Sequence, residues 1–463
     1  MTVTEFLQFV DNLVFSQTDK HLDDIQQKII EGLFQGKSYK QIAENYGYDE
    51  GYIGDLSRKL FKIVSEQLKQ DINKHNFCWT VERFAHKSKF NSNSLQQGLI
   101  NSYINLCSNN PKDANQDIQK TPDKKEIYHD LKFAPKIINF YNRESELKTL
   151  YNWICKGERP FTPTLICILG LAGIGKTTLV KRFVDLNLDN FEVIIWKSLK
   201  YPKSLTLLIN DFLTVCKLEP KETLDDKLTQ LFDILTDKKC LIILDDVQKI
   251  FISGDFAGKY KPEYQDYQNF FTMITETAHQ SNVILISQES CPEMHCLDED
   301  LYPIKCLELS GLYDVEILRN KGLTDSSTSL TNHEDSWLQL INLYQGDIFY
   351  LKSIIMLINT NYDGQVAEFL AENTLHITNQ MQSHFQKIFN HLSPIEQQIV
   401  LKLSQVETPI LREELRQSLN FNSVDFNNGL ESLQQRYLVM KIKTDKIMFK
   451  LDSVLREYVI NCC

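Results

Sequence analysis

The sequence that decides the fold is Gly170-Leu-Ala-Gly-Ile-Gly-Lys-Thr-Thr178, which directly follows the apolar run Thr164-Leu-Ile-Cys-Ile-Leu169. It matches GxxxxGK[ST], the pattern of a phosphate-binding loop between a strand and a helix. Glycine at positions 170, 173 and 175 lets backbone N–H groups point inward, where a side chain would block a phosphate. The following helix N-terminus adds partial positive charge. A glycine-rich turn beside a surface lysine is the alternative, but it leaves the flanking strand and helix unexplained. The sequence therefore predicts nucleotide binding.

Two side chains of the loop and two carboxylates further along the chain supply the chemistry. Lys176 has the length to reach the β- and γ-phosphates, and the hydroxyl of Thr177 can ligate Mg²⁺. A second apolar run, Cys240-Leu-Ile-Ile-Leu244, is followed by Asp245 and Asp246, at the strand edge where open α/β sheets bind ligands. We expect Asp245 to hold Mg²⁺ through water, and Asp246 to orient or deprotonate the attacking water. A solvated strand end is the alternative for this pair.

Gln288 stands at the end of the next predicted strand, in the run Ile286-Ser287-Gln288-Glu289. In nucleoside triphosphatases whose sheet has an additional strand, the strand that corresponds to the one before Gln288 lies between two others. These are the strand before the phosphate-binding loop and the strand before the Asp-Asp pair. The end of the strand before Gln288 therefore faces the γ-phosphate. Gln288 can donate a hydrogen bond to a phosphate oxygen but brings no charge. The alternative is a place for this side chain in the nearby protein interior.

Strands and helices alternate from about residue 137, as in a parallel sheet with crossover helices. The predicted strands are 165–169, 191–196, 240–244, 283–287 and 304–309, and the predicted helices are 176–187, 203–217, 224–236 and 264–279. After residue 310 the periodicity is helical until about residue 437. Two strands, 437–443 and 447–451, then form a hairpin before a last helix.

Residues 1–84 are predicted to form a compact helical domain with helix-turn-helix spacing. Ala43, Gly47 and Ile53 stand where such a unit needs a small residue, a left-handed turn and a core anchor. The segment carries ten Lys and Arg against thirteen Asp and Glu, and its second helix opens with Asp49 and Glu50. Acidic side chains face DNA phosphates with the wrong sign. We therefore favour a protein-interaction role over DNA binding, which stays open.

Composition places the chain among ordinary globular proteins. It has 463 residues, with 42% hydrophobic and 24% charged residues and a net charge of −11, which argues against a dominant nucleic-acid surface. Its apolar runs are too short for a membrane span, and its N-terminus lacks signal-peptide features. The eleven scattered cysteines suit a reducing compartment. We expect a cytoplasmic protein without membrane partners, in which residues 85–136 form a polar linker.

With these motifs the chain resembles the NB-ARC branch of the STAND signalling NTPases. Besides the phosphate-binding loop and the Asp-Asp strand, it carries Phe140-Tyr-Asn-Arg143-Glu144-Ser-Glu146. This segment is similar to the family motif hydrophobic-hydrophobic-Gly-Arg-x-x-Glu, with Asn142 in place of Gly. The resemblance continues through Tyr344-Gln-Gly346 and covers residues 137–460. Residues 1–84 look like the helix-turn-helix-like head of cyanobacterial-type members.

The resemblance implies an α/β P-loop NTPase domain of the ASCE type, with a parallel sheet, followed by helical and winged-helix domains. The implied boundaries are 137–309 for the NTPase domain, 310–375 for the helical domain and 376–463 for the winged helix. Members of the family are similar to molecular switches, in which bound ADP stabilises the closed form. Exchange for ATP opens them and exposes oligomerising surfaces, and slow ATP hydrolysis resets them. The implied ligands are ADP, ATP and Mg²⁺, and the implied assemblies are a nucleotide-dependent homo-oligomer and a partner protein held by residues 1–84.

The site residues follow from the motifs and the resemblance together. Asp245 and Asp246 are the predicted catalytic residues, and Thr177 and Asp245 the predicted magnesium ligands. The residues predicted to contact the nucleotide are Arg143, Gly170, Leu171, Ala172, Gly173, Ile174, Gly175, Lys176, Thr177, Thr178, Gln288 and Ile348.

The chain departs from the family pattern at three positions. Gln288 replaces a strand-end arginine, and Ile348 stands where a proline lies beside the adenine. Leu451, next to Asp452, replaces the histidine that holds the β-phosphate. Relatives usually continue into a repeat array that senses a ligand. We therefore expect either that a separate chain senses the ligand, or that this protein is an adaptor or a shortened member of the family.

Three functions stay open on these grounds. The first is the nucleotide-dependent switch, with ATP turnover that is low at most. The second is a transcription regulator that uses the same module with a DNA-binding helix-turn-helix. The third is a nucleotide-binding scaffold that does not hydrolyse ATP, because Gln288 and Leu451 both lack the charge found in relatives.

Overall fold

The computed structural model describes residues 3–85, 127–156, 163–294, 303–313 and 334–462, except positions 19, 36, 69, 71, 75, 76, 79, 83, 138, 139, 141 and 444. The chain divides into two compact units. One comprises residues 1–124 with 183–188, and the other residues 125–182 with 189–463. Among the helices described, none combines the length and the apolar character that a membrane crossing needs.

Four helices form the N-terminal unit: α1 (Val3–Thr18), α2 (Asp24–Phe34), α3 (Tyr39–Tyr46) and α4 (Glu50–Leu68). Capping boxes at Asp23 and Ser38 start α2 and α3, because each side chain accepts from an otherwise unpaired backbone N–H of the first turn. Gly47 ends α3 with a φ of 73°, a conformation that glycine adopts without strain. Ala43 and Ile53 are buried. The helix-turn-helix pattern predicted from these three positions is confirmed.

A six-stranded parallel sheet organises the larger unit. Its strands are β1 (Tyr128–Asp130), β2 (Leu165–Leu169), β3 (Val193–Ser198), β4 (Cys240–Asp245), β5 (Asn282–Ile286) and β6 (Ile304–Glu308), in the order β1-β3-β4-β5-β2-β6. Every residue of β2, β4 and β5 is buried, as expected for parallel strands covered on both faces. Strand β5 lies between β4 and β2, which confirms the additional central strand.

The helices of this region are α5 (Glu144–Ile154), α6 (Lys176–Leu186), α7 (Leu205–Val215), α8 (Leu224–Asp237) and α9 (Asp266–Glu276). The predicted helices end within a few residues of these bounds. Strand β3 begins two positions later than predicted because Phe191 and Glu192 precede it in irregular backbone. The carboxyl ends of β2, β4 and β5 meet at one edge of the sheet, so the loops that follow them converge there.

Helices and a small antiparallel sheet form the C-terminal part. The helices are α10 (Glu334–Leu343), α11 (Ile348–Asn361), α12 (Val366–Ala371), α13 (Asn379–His391), α14 (Pro394–Ser404), α15 (Arg412–Gln417), α16 (Ser423–Gln435) and α17 (Ser453–Cys462). The strands β7 (Ile410–Leu411), β8 (Val439–Lys443) and β9 (Ile447–Leu451) pair in the order β7-β9-β8. The predicted hairpin is confirmed, and the arrangement is that of a winged helix. One hydrophobic core extends from α10 to α17.

The polar linker predicted at residues 85–136 falls largely on residues 86–126, which lie outside the described residues. Its last part contains β1, which pairs with β3 in parallel register from Tyr128 to Asp130. An ion pair of 2.8 Å between Lys197 and Asp130 joins the same two strands. Three residues without an apolar run give no strand signal, so the sequence did not predict β1.

Candidate nucleotide-binding site

The loop from Gly170 to Gly175 has the backbone geometry of a phosphate cradle. The φ values of Gly170, Gly173 and Gly175 are 135°, 86° and 105°, in the region that other residues adopt only with strain. A Cβ at Gly173 would also lie 2.6 Å from the Cβ of Phe349. The conformation and the close packing therefore both require glycine at position 173.

The Lys176 ammonium bonds to the loop itself. Its Nζ donates to the backbone oxygens of Gly170 and Leu171, each at 2.7 Å. Burial lowers the pKa of Lys176 to about 8, against the opposing charges of Asp245 and nearby carboxylates. Phosphate oxygens are stronger partners for an ammonium than neutral carbonyls. A nucleotide would therefore take over these two hydrogen bonds and restore the full charge of the lysine.

Thr177 and Asp245 converge as the magnesium prediction requires. The Thr177 hydroxyl donates to Oδ1 of Asp245 at 3.2 Å, although the two residues come from different strand–loop units. Burial, and after it the charge of Asp246, raises the pKa of Asp245 to about 6. A hydroxyl and a carboxylate are the hard oxygen ligands that Mg²⁺ prefers. The cost of burial outweighs the nearby charge of Lys176 at this carboxylate, so a bound cation would stabilise its ionised form and these residues fit the ion.

Asp246 lies beside this pair in a left-handed conformation, with a φ of 63°. Its carboxylate accepts hydrogen bonds from Ser198 at 3.3 Å and from Gln248 at 3.2 Å. Gln248 in turn accepts from the backbone N–H of Gln288 at 3.2 Å. Gln248 is nine-tenths buried and links the ends of β4 and β5. The sequence reasoning missed it, because a glutamine three residues after a strand carries no motif.

Arg143 stabilises the phosphate-binding loop through contacts with backbone oxygens. Its guanidinium donates to the backbone oxygen of Ile174 at 3.3 Å and to that of Ser310 at 2.7 Å. It also pairs with Glu146 at 2.7 Å. These contacts stabilise the backbone of the loop between α5 and the end of β6. Direct contact between Arg143 and a nucleotide stays a prediction.

The N-terminus of α11 packs against the loop. A Cβ at Gly175 would lie 3.9 Å from Cδ1 of Ile348, so the predicted contact residue Ile348 borders the cradle. Asp347 caps the helix by accepting from the N–H groups of Phe349 and Tyr350 at 2.7 and 3.2 Å. Its other carboxylate oxygen has no hydrogen-bond partner among the residues that the structure describes. Burial raises the pKa of Asp347 to about 7. Its place before an apolar helix is a sequence signal for a cap that the motif search passed over.

Leu451 and Asp452 have structural roles in the winged helix. Leu451 is buried in the core, and Asp452 caps α17 by accepting from the N–H groups of Val454 and Leu455 at 3.0 and 2.8 Å. Leu451, at the position where the resemblance implies a phosphate-binding histidine, therefore provides no polar side chain.

A buried ion-pair network joins the end of β5 to the winged helix. Arg436 forms ion pairs with Glu289, the residue after Gln288, and with Glu396 on α14 at 2.9 Å. Its guanidinium also donates to the backbone oxygen of Asp255 at 2.8 Å, and Ser432 donates to Glu396 at 2.6 Å. Arg436, Glu289 and Glu396 are all buried. Sequence reasoning found none of these partners, because they lie far apart in the chain.

The geometry agrees with the comparisons to known domains. Residues 143–283 match the NB-ARC domain, and residues 1–84 match the vWA-MoxR associated protein N-terminal HTH. The chain contains an NB-ARC domain. This domain spans the sheet from Arg143 to β5, and with it the loop, Asp245 and Asp246.

Relatives of known sequence or structure extend the comparison. An uncharacterised WD repeat-containing protein of Nostoc sp. is 28% identical over 344 residues, which cover 71% of this chain but only 27% of that protein. Among solved structures, a Walker-type ATPase of Pyrococcus abyssi is 14% identical with a TM-score of 0.47, over 70% of this chain and 96% of that one. A STAND protein with a tetratricopeptide repeat sensor from Pyrococcus horikoshii is 16% identical with a TM-score of 0.35, over 70% of this chain and 43% of that one.

Proposed function

We propose that the protein is an adenine-nucleotide-dependent switch in signal transduction. ADP holds it closed. Exchange for ATP opens it, drives self-association and lets residues 1–84 recruit a partner protein. The observation that carries the proposal is the hydrogen bond of 3.2 Å between Thr177 and Asp245. It brings two oxygen ligands for magnesium together beside Lys176, at the end of a glycine loop that fits a polyphosphate.

Each residue of the site has a defined task in this scheme. Lys176 exchanges its bonds to loop carbonyls for bonds to phosphate oxygens, and Thr177 and Asp245 hold Mg²⁺. Mg²⁺ held by these two residues would neutralise phosphate charge. Asp246, whose carboxylate is fixed by Ser198 and Gln248, orients the attacking water. We expect slow hydrolysis, at about one turnover per minute or less, because Gln288 supplies no positive charge to the γ-phosphate.

The buried network of Arg436 supports coupling between the nucleotide and the winged helix. Glu289 follows Gln288 directly and forms an ion pair with Arg436. A shift of the β5 end on binding of a γ-phosphate therefore changes the geometry of a buried ion pair. Since breaking such a pair is costly, the network favours two discrete arrangements over a continuum. In our proposal the paired arrangement belongs to the closed state.

The surface of the N-terminal unit supports a protein partner over DNA. Tyr48 and Tyr52 are exposed, with ring centroids 6.0 Å apart at the start of α4. Exposed aromatic rings are frequent in protein interfaces. Arg58, a basic residue of the same helix, forms an ion pair with Asp55 at 2.6 Å. Its charge is therefore less available to DNA phosphates.

Light scattering of the full chain tests the switch directly. The molar mass is measured with ADP and with a non-hydrolysable ATP analogue, each with Mg²⁺. We expect a monomer with ADP and a defined oligomer with the analogue. The Lys176→Ala variant should stay monomeric under both conditions. An identical mass of wild-type protein in both nucleotides would contradict the switch.

A second candidate is a scaffold that binds ATP without hydrolysing it. The uncharged side chains of Gln288 and Leu451 favour it, since both positions carry charge or a phosphate ligand in relatives. Intact ATP bound to purified protein after days at room temperature would support this candidate. Recovery of ADP alone after loading with ATP would exclude it.

A further inference from the structure

One face of helix α4 in the N-terminal unit is exposed along its length. Its side chains follow one another in steps of four and three residues, and they belong to Tyr48, just before the helix, and to Tyr52, Asp55, Lys59, Lys62 and Glu66. Alternating steps of this size keep side chains on one line along a helix. The opposite face contributes Ile53, Leu60 and Val64 to the core of the unit. The unit therefore leaves this line of six side chains, the α4 stripe, open to a partner.

Charge is distributed unevenly along the α4 stripe. The first half contains the two tyrosines and the carboxylate of Asp55, and the second half begins with the ammonium groups of Lys59 and Lys62. Neither lysine has an ion-pair partner among the residues that the structure describes. Asp55 forms an exposed ion pair with Arg58 at 2.6 Å, a kind of contact that contributes little and is readily exchanged. The stripe therefore offers separate anionic and cationic segments to a partner.

The tyrosine rings of this unit attract cations. Lys74 lies over the ring of Tyr39, 4.0 Å from its centroid. Lys28 lies over the ring of Tyr46 at 5.2 Å. Tyr52 of the stripe is 47% exposed, and no lysine or arginine of the described residues lies over its ring. Because a cation over the face of an exposed ring is attractive, Tyr52 has room for an ammonium group from a partner.

The order of these side chains makes the α4 stripe complementary to its own reverse. When two copies of α4 pack antiparallel about a two-fold axis at the level of Ser57, positions equally far from Ser57 face each other. Asp55 of one copy then lies opposite Lys59 of the other, and Tyr52 lies opposite Lys62. The axis repeats each contact, so one helix pair forms two ion pairs and two cation–π contacts. Parallel packing would instead place each lysine opposite itself, where like charges repel.

We propose that the α4 stripe is a dimerisation surface and that its partner is the same stripe of a second copy, packed antiparallel. The inference rests on the proposed switch and identifies the protein partner of Tyr48 and Tyr52 as a second copy of this chain. The contact is weak alone because its ion pairs are exposed to solvent. It becomes effective when ATP-driven association holds two chains together, since tethering raises the effective concentration of the two stripes.

Reversal of charge along the stripe tests this assignment in the full chain. Self-association is measured by analytical ultracentrifugation, with a non-hydrolysable ATP analogue and Mg²⁺, for wild-type protein, Asp55→Lys, Lys59→Asp and the double variant. Each single substitution places two pairs of like charges across the axis, and we expect it to weaken self-association about tenfold. The double substitution exchanges the two charges and should restore most of the loss. Lys20→Asp, the same change at an exposed position outside the stripe, should associate as the wild type does.

A mixture of the two single variants provides a test that misfolding cannot imitate. Asp55→Lys and Lys59→Asp together should associate more tightly than either alone, because each mixed pair joins two lysines of one chain to two aspartates of the other. A mixture no tighter than its components, or a single variant that associates like the wild type, would overturn the stripe. Binding of a DNA duplex that Lys59→Asp abolishes, with self-association unchanged, would assign the stripe to nucleic acid instead. The expected variant pattern with equal association in ADP and in the analogue would contradict the switch alone.

Discussion

The two walls of the phosphate site differ in how closely they keep to the family pattern. On the sheet side, Lys176, Thr177 and Asp245 are all in place, and the structure brings the last two within 3.2 Å. On the winged-helix side, Leu451 is a core residue, and Arg436 forms buried ion pairs with Glu289 and Glu396. We therefore expect separate elements to bind the polyphosphate and to respond to the presence of its γ-phosphate. Changes on one wall should leave the other function intact.

Replacing Arg436 should have the largest effect, because this residue joins the two walls. Arg436→Met leaves Glu289 and Glu396 buried without their cation. We expect the free energy of unfolding to fall by about 3–5 kcal/mol, measured by urea denaturation. Arg416→Met removes a half-exposed ion pair with Glu413 and should cost less than about 1 kcal/mol. Equal effects of the two substitutions would show that the network does not fix the winged helix.

Replacing Asp245 should abolish the contribution of magnesium to nucleotide binding and leave the ion pairs of Arg436 intact. In Asp245→Asn the amide is a poor ligand for the ion. We expect the affinity for ADP in the presence of Mg²⁺ to fall about 30-fold to 100-fold, and the affinity without Mg²⁺ to change little, both measured by calorimetry. Asp246→Asn is the matched control and should keep the magnesium effect while losing hydrolysis. Loss of the magnesium effect in both variants would argue against the separate roles.

Nucleotide affinity should fall as the pH rises above 8. Burial holds the pKa of Lys176 near 8 in the free protein, and a bound phosphate raises it. The affinity for the nucleotide is therefore highest at pH values well below 8, where Lys176 is charged in the free protein. It decreases by about tenfold between pH 7 and pH 9. Fluorescence titration with a labelled ADP gives this profile. Lys176→Arg, if it binds, should give a flat profile because arginine stays charged. A flat wild-type profile would contradict the role of this ammonium.

Asp347→Asn should give the smallest effect and the opposite sign. The asparagine preserves the cap of α11 and removes a buried carboxylate near the loop. We expect the affinity for ADP to increase about threefold at pH 8, where Asp347 is ionised on the basis of its pKa of about 7. At pH 6 the two proteins should bind ADP alike. A weaker ADP affinity of the variant at both values would mean that the carboxylate assists binding.

The sequence predicted what short-range patterns determine. Strand β2 and the two strands of the hairpin lie where apolar runs placed them, because burial on both faces or alternation leaves a clear signal. Strand β1 was missed because its three residues Tyr128–Asp130 are polar or half-buried. They form a strand only because they pair with β3. The capping residues of α2 and α3 could be read directly from the sequence.

The site was predictable only where a single motif contains its residues. The phosphate-binding loop and Asp245 follow from local patterns. Gln248, Glu289 and Arg436 were missed because each has its role through a partner distant in sequence. The hydrogen bond between Gln248 and Gln288 and the ion pairs of Arg436 depend on the tertiary arrangement of the strand ends and the winged helix. Composition and spacing carry no trace of such contacts.

The nucleotide content of the purified protein shows whether the loop from Gly170 to Thr178 binds an adenine nucleotide. Wild-type protein and Lys176→Ala are purified in parallel and denatured, and the released small molecules are identified by chromatography and mass spectrometry. We expect close to one equivalent of adenine nucleotide from the wild type and almost none from the variant. A wild-type protein that releases no nucleotide, and that cannot be loaded with ADP or ATP in the presence of Mg²⁺, would contradict this expectation.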